Sequence, residues 1–70
     1  MSEVRAEMVA SVLKILVEEG QLVSAGDTLL IMESMKMEIP VLAESPGRVR
    51  SLAVGEGDVI QEGDLIAVLD

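Results

Sequence analysis

The hydrophobic pattern of this chain is one of short aliphatic runs cut by acidic and glycine-bearing breaks. Glu19-Gly20, Ala25-Gly26-Asp27, Ser45-Pro46-Gly47, Gly55-Glu56-Gly57-Asp58 and Glu62-Gly63-Asp64 are the breaks, and each has turn chemistry. The runs between them are too short for helices and rich in valine and isoleucine, which favour strands. The pattern predicts strands near Val4–Met8, Ala10–Val17, Gln21–Val23, Thr28–Glu33, Met37–Leu42, Gly47–Val54, Asp58–Ile60 and Leu65–Leu69. Eight short strands with tight turns imply a small sandwich or flattened barrel.

Ala6–Glu19 is the one segment in which a helix competes, because its alanine, leucine, lysine and glutamate are good helix formers. An internal repeat decides against the helix. Shifting the sequence by 37 places Ala6-Glu7 on Ala43-Glu44, Val12 on Val49, Val17 on Val54, Glu19-Gly20 on Glu56-Gly57 and Gly26-Asp27 on Gly63-Asp64. That is eight identities in 28 aligned positions, and many other pairs exchange one aliphatic residue for another. The partner of the ambiguous segment opens with Pro46-Gly47, a poor helix start, so both copies are expected to be strand. Two halves, about 6–33 and 43–70, then form one domain over residues 1–70 with approximate two-fold symmetry. Val12 and Val17 are an odd number of residues apart, as are Val49 and Val54, so strict alternation would put each pair on opposite faces. A bulge, or a strand passing from one sheet to the other, is expected between them in both halves. Pro40 cannot donate to a ladder, so its strand should lie at a sheet edge.

The composition then narrows the chemistry. Seventy residues make one small domain, with no cysteine, histidine or aromatic residue. The usual zinc, iron and copper ligands are missing, and so are Ser–His–Asp and Cys–His nucleophile systems. A net charge of −8 opposes phosphate backbones and favours basic protein partners. Asp27, Asp58 and Asp64 lack the dense spacing of a calcium loop and are expected to cap turns. The repeated glycines match no phosphate-cradling motif and are expected to supply positive φ at turns. No secretory signal or membrane span is visible in the residues present, so a cytoplasmic location is expected.

One lysine stands apart. Lys36 lies at the junction of the two halves, in Glu33-Ser34-Met35-Lys36-Met37-Glu38, where a protruding hairpin is expected. The only other lysine, Lys14, falls inside a strand. Methionine is a poor turn residue, but it suits a surface that several partners must bind and release. The alternative for Met35 and Met37 is that one or both fold inward as core filler. Arg48 and Arg50 lie on one strand face, where pairing with acids across the sheet or assistance in docking are both open.

This segment resembles the attachment motif of biotinyl domains, of which Met-Lys-Met is the core. The resemblance continues through Ile39-Pro40-Val41, Ser45-Pro46-Gly47-Arg48-Val49 and Gly57-Asp58-Val59-Ile60-Gln61-Glu62-Gly63-Asp64-Leu65-Ile66, and so covers nearly the whole chain. It is nearest to free-standing bacterial biotin/lipoyl attachment proteins. The resemblance implies an all-β flattened barrel or sandwich of two four-stranded antiparallel sheets with pseudo-two-fold symmetry, and Lys36 in a turn between strands four and five. It implies covalent biotin on Lys36, attached by a biotin protein ligase that reads Glu33, Met35, Met37 and Glu38. It further implies a non-catalytic carrier that shuttles a carboxyl group between biotin carboxylase and carboxyltransferase sites, as in an acyl-CoA carboxylase, with no nucleic-acid or membrane partner and a monomeric state. The alternatives are a lipoyl carrier, whose family typically shows Asp-Lys-Ala at the turn, and a stand-alone module that binds biotin or ligase outside any carboxylase. Ser34 departs from the alanine common in the family. Val17–Val23 is too short for the thumb insertion of some carriers, so a group on Lys36 should hang freely.

Overall fold

The computed structural model describes all 70 residues as eight strands with no helix: β1 Ser2–Arg5, β2 Ala10–Ile15, β3 Leu22–Val23, β4 Thr28–Ser34, β5 Met37–Leu42, β6 Gly47–Leu52, β7 Val59–Ile60 and β8 Leu65–Leu69. They form two four-stranded antiparallel sheets, ordered β1-β8-β6-β3 and β5-β4-β2-β7. A shift of 37 residues converts one sheet into the other, strand for strand. Pro40 lies on β5, an edge strand, where its missing N–H costs no ladder bond.

The irregularities are duplicated as faithfully as the strands. The β2–β4 ladder shifts register between Val12 and Lys14, and the β6–β8 ladder between Val49 and Ser51. A second pair of shifts, in the β1–β8 and β4–β5 ladders, lets Leu29-Leu30 and Ile66-Ala67 each bury two consecutive side chains. The odd spacing of Val12 and Val17 therefore marks a bulge. It also marks a crossing, because Val12 packs in one core cluster and Val17 in the other.

Five predicted strands extend beyond the observed ones, two of them, Gln21–Val23 and Asp58–Ile60, by a single residue. Val4–Met8 is replaced by Ser2–Arg5, because the polar Ser2 and Glu3 pair with Leu69 and Val68 whereas Ala6 turns to bond a different loop. Val17 and Val54 leave their ladders at Ile15 and Leu52 as the chain changes sheets. Tertiary pairing, not local β-propensity, sets each of these ends.

The core is wholly aliphatic plus one methionine: the buried residues include Leu29, Leu30, Met32, Val12, Val49, Ile66, Ala67 and Leu69, with no buried polar side chain. Its backbone is satisfied by an exchange between the halves. Val49 accepts from Gly20 N at 2.7 Å and donates to Gln21 O at 2.8 Å, while Val12 accepts from Gly57 N and donates to Asp58 O, both at 2.8 Å. Ala6 bonds Gly63 N and Asp64 O, and Ala43 bonds Gly26 N and Asp27 O, in the same manner. All four glycines have φ near 90°, which frees their amides to face the other half. Glu19 and Glu56 complete the exchange: the Glu19 carboxylate accepts from Leu52 N and the Glu56 carboxylate from Ile15 N, each at 3.0 Å. Asp27, Asp58 and Asp64 cap their own turns, accepting from Ser24 N, Gly55 N and Gln61 N at 2.8 Å. Seven of the eight repeat identities thus have a place in this exchange or, for Val17 and Val54, in the packing. Nothing in the structure explains Glu7 and Glu44, which are exposed and unbonded.

Because the two carboxylates do the same work, Glu19→Ala and Glu56→Ala are expected to lower the unfolding free energy by similar amounts, about 1 kcal/mol each. The glutamine variants keep an acceptor oxygen and should lose less. Urea unfolding midpoints of the four variants check this, and a cost at only one of the two sites would contradict the exchange.

Candidate functional site

Lys36 occupies the loop of the β4–β5 hairpin. The ladder runs through Met32↔Ile39, Glu33↔Glu38 and Ser34↔Met37, leaving Met35 and Lys36 as a two-residue turn. Their φ angles are 53° and 63°, and they are the only non-glycine residues in the chain with positive φ. A two-residue hairpin turn of the type I′ class needs positive φ at both central positions and normally recruits Asn-Gly. Here two long side chains accept that conformation, at a cost of order 1 kcal/mol apiece. The paired strands on either side impose it.

The side chains fan outward from this turn. Lys36 is exposed and makes no ion pair or side-chain hydrogen bond. Met35 is 92% exposed and Met37 66%, so neither is core filler. The core methionine is Met32, three residues before Met35 and 3% exposed. Glu33 and Glu38 stand directly opposite one another on the exposed face, a like-charged cross-strand pair that works against the hairpin. The structure therefore brings all five residues singled out in the sequence, Glu33, Met35, Lys36, Met37 and Glu38, to one end of the molecule. No catalytic side chain accompanies them, and no cluster of metal-ligating groups exists anywhere in the chain.

Lys14 lies within β2, as expected, exposed to solvent beside the register shift of the β2–β4 ladder. Arg48 and Arg50 do not join the site. Arg48 donates to Gly20 O at 2.9 Å, and Arg50 lies 3.6 Å from the carboxylate of Asp70. That region is remote from Lys36. The chain leaves β5 at Leu42, opposite Thr28 at the far end of β4, and five residues later Gly47 packs against the carbonyl of Asp70. The chain ends thus occupy the end of the molecule away from the hairpin.

Sequence reasoning missed one contributor. Ser34 Oγ donates to the carbonyl of Val9 at 3.0 Å, tying the base of the hairpin to the β1–β2 connection. Alanine could not make this bond. The available signal was a hydroxyl residue inside the hairpin segment.

The strain in the turn is testable on its own. Met35→Asn/Lys36→Gly, which installs the residues that such a turn prefers, is expected to raise the unfolding free energy by about 1–2 kcal/mol while removing the lysine. Urea unfolding measures it, and an unchanged or lowered stability would show that the native turn is relaxed.

Comparison with known proteins gives the geometry its family. The sequence model described as "Biotin-requiring enzyme" matches residues 2–69. A "Biotinylated protein TB7.3 homolog" of Mycobacterium leprae is 60% identical over 67 residues, covering 96% of this chain and 94% of that protein. The "Biotin-dependent acyl-coenzyme A carboxylase alpha3 subunit" of the same organism is 44% identical over 64 residues, which are 91% of this chain but 11% of that subunit. In structure, the crystal structure of the Kluyveromyces lactis urea carboxylase matches with a TM-score of 0.92 and 33% identity over 99% of this chain and 6% of that one. Sequence and fold agree along the full length, and on both grounds the chain belongs to the biotin/lipoyl attachment family, as a non-catalytic biotin carrier domain.

Proposed function

We propose that Lys36 is the residue that receives biotin, and that the loaded domain carries a carboxyl group between two active sites of a biotin-dependent carboxylase. The observation that carries this reading is the exposed, unpaired lysine held at a strained two-residue turn. A rigid hairpin with a free amine is a substrate for another enzyme. No side chain hydrogen-bonds Lys36, and its amine must lose a proton to be acylated. Deprotonation therefore belongs to a biotin protein ligase. In that step Nζ attacks the acyl carbon of an activated biotinyl-adenylate. The C–N amide bond forms, the acyl–phosphate bond breaks, adenylate leaves and the amine loses its proton.

The residues around the turn fit recognition. Met35 and Met37 offer apolar, polarisable surface that a ligase must desolvate, and Glu33 and Glu38 offer two adjacent charges to a basic partner. Retaining a like-charged pair that weakens the hairpin makes sense if a partner neutralises it. After attachment, the lysine stem lets the cofactor reach two sites while the β-scaffold stays rigid. Tethering supplies a high effective concentration at both without tight docking. An acyl-CoA carboxylase is the assembly we favour, on the strength of the relative whose name states that activity. A cytoplasmic monomer working with separate carboxylase and carboxyltransferase subunits is the corresponding form. The flanking methionines favour biotin over lipoate.

Co-expression with a biotin protein ligase and excess biotin is expected to add one biotinyl group, seen by intact mass and mapped to Lys36. Lys36→Ala should take none, with Lys14 unmodified. A lipoyl group, label on Lys14, or an unmodified chain under these conditions would overturn the assignment.

A further inference from the structure

The chain contains no cysteine, histidine, tryptophan or tyrosine. Its five methionines are therefore the only side chains that a mild peroxide oxidises readily. They are not equivalent. Met32 is sealed in the core, whereas Met35 is the most exposed large apolar residue in the molecule and Met37 follows it across Lys36. Met1 and Met8 are exposed as well, but Met1 lies at the far end with the chain termini and Met8 in the β1–β2 connection. The two oxidisable sulfurs with the freest access at the hairpin are thus the immediate neighbours of the reactive amine.

We propose that Met35 and Met37 form an oxidation site that controls whether Lys36 can be modified. The oxidant is a hydroperoxide. A thioether sulfur attacks the outer peroxide oxygen, the O–O bond breaks, an S–O bond forms, and water or an alcohol leaves. Sulfur gives up two electrons, which reduce the peroxide. The product is a methionine sulfoxide, polar and chiral where the thioether was apolar. Neither side chain packs in the core, so the fold survives oxidation. What changes is the surface a partner must desolvate to reach Nζ, and burying an added polar oxygen without a partner is costly. A methionine sulfoxide reductase reverses the change, taking two electrons from a dithiol, which becomes a disulfide, and releasing the oxygen as water.

The consequence for Lys36 rests on its role as biotin acceptor, and the experiment separates the two. Purified unmodified protein is treated with hydrogen peroxide, its sulfoxides are mapped by peptide mass, and the rate of biotin transfer by a biotin protein ligase is measured before and after. Expected are sulfoxide at Met35 and Met37 with Met32 intact, an unchanged far-ultraviolet circular dichroism spectrum, and transfer slowed at least tenfold. Methionine sulfoxide reductase should restore the rate. In Met35→Leu/Met37→Leu, whatever its starting rate, peroxide should leave the rate where it was, although Met1 and Met8 still oxidise. Equal rates for oxidised and untreated protein, or the same slowing in the leucine variant, would overturn the inference while leaving Lys36 as acceptor. Untreated protein that takes no biotin would instead overturn the parent assignment, and this inference with it.

Discussion

The fold depends on each half finishing the other's hydrogen bonding. The Glu-Gly turn of the first half clamps Val49 of the second, and the matching turn of the second clamps Val12 of the first. Outside the regular ladders, fourteen of the 16 backbone bonds fall into seven pairs related by a shift of 37. A half taken alone would leave its valine and alanine clamps open and the carboxylates of Glu19 or Glu56 without an amide to accept from. With no disulfide, aromatic residue or polar core group to add, a domain of this size has little else to hold it. Cooperativity between the halves therefore takes the place of a large core. It also accounts for most of what the repeat keeps: Ala6, Val12, Glu19, Gly20, Gly26 and Asp27 each match their image in the exchange, while core positions such as Leu29 and Leu30 correspond to Ile66 and Ala67 in the other copy.

Much of this could be seen in the residues. The 37-residue shift foretold the paired sheets, and the odd valine spacing foretold a bulge that both ladders carry. The edge position of Pro40 and the capping role of the aspartates followed from elementary backbone chemistry. The ends of β1, β2 and β6 did not follow, because they are set by partners more than fifty residues away in the first case and by the change of sheet in the others. Glu19 and Glu56 were visible only as turn residues. Their reach across to Leu52 and Ile15 is a non-local fact that no periodicity encodes.

The candidate site divides along the same line. Its place in the fold was legible, since the lysine lies at the junction of the repeat, and its chemistry was implied by the resemblance of Met35-Lys36-Met37 to the family's attachment motif. Its geometry was not, because Met-Lys carries none of the Asn-Gly signature of a tight hairpin turn. The turn exists because β4 and β5 pair in register up to Ser34↔Met37, and two residues then have to close the loop. The strands dictate the backbone, and the side chains are chosen for something other than comfort in it.

Two local rules that the rest of the chain obeys are broken together at the hairpin. Positive φ without glycine and like charges face to face both occur within Glu33–Glu38, beside the 92% exposed Met35. Everywhere else, positive φ falls on glycine and no strand places two acids opposite one another. Conflicts of this kind persist where surrounding structure over-determines them and where a requirement other than stability is met. The turn at the centre of these conflicts holds the lysine. A stiff support matters there because the group to be presented sits on a long flexible stem. If the turn also yielded, the amine would have no fixed address for an enzyme to find.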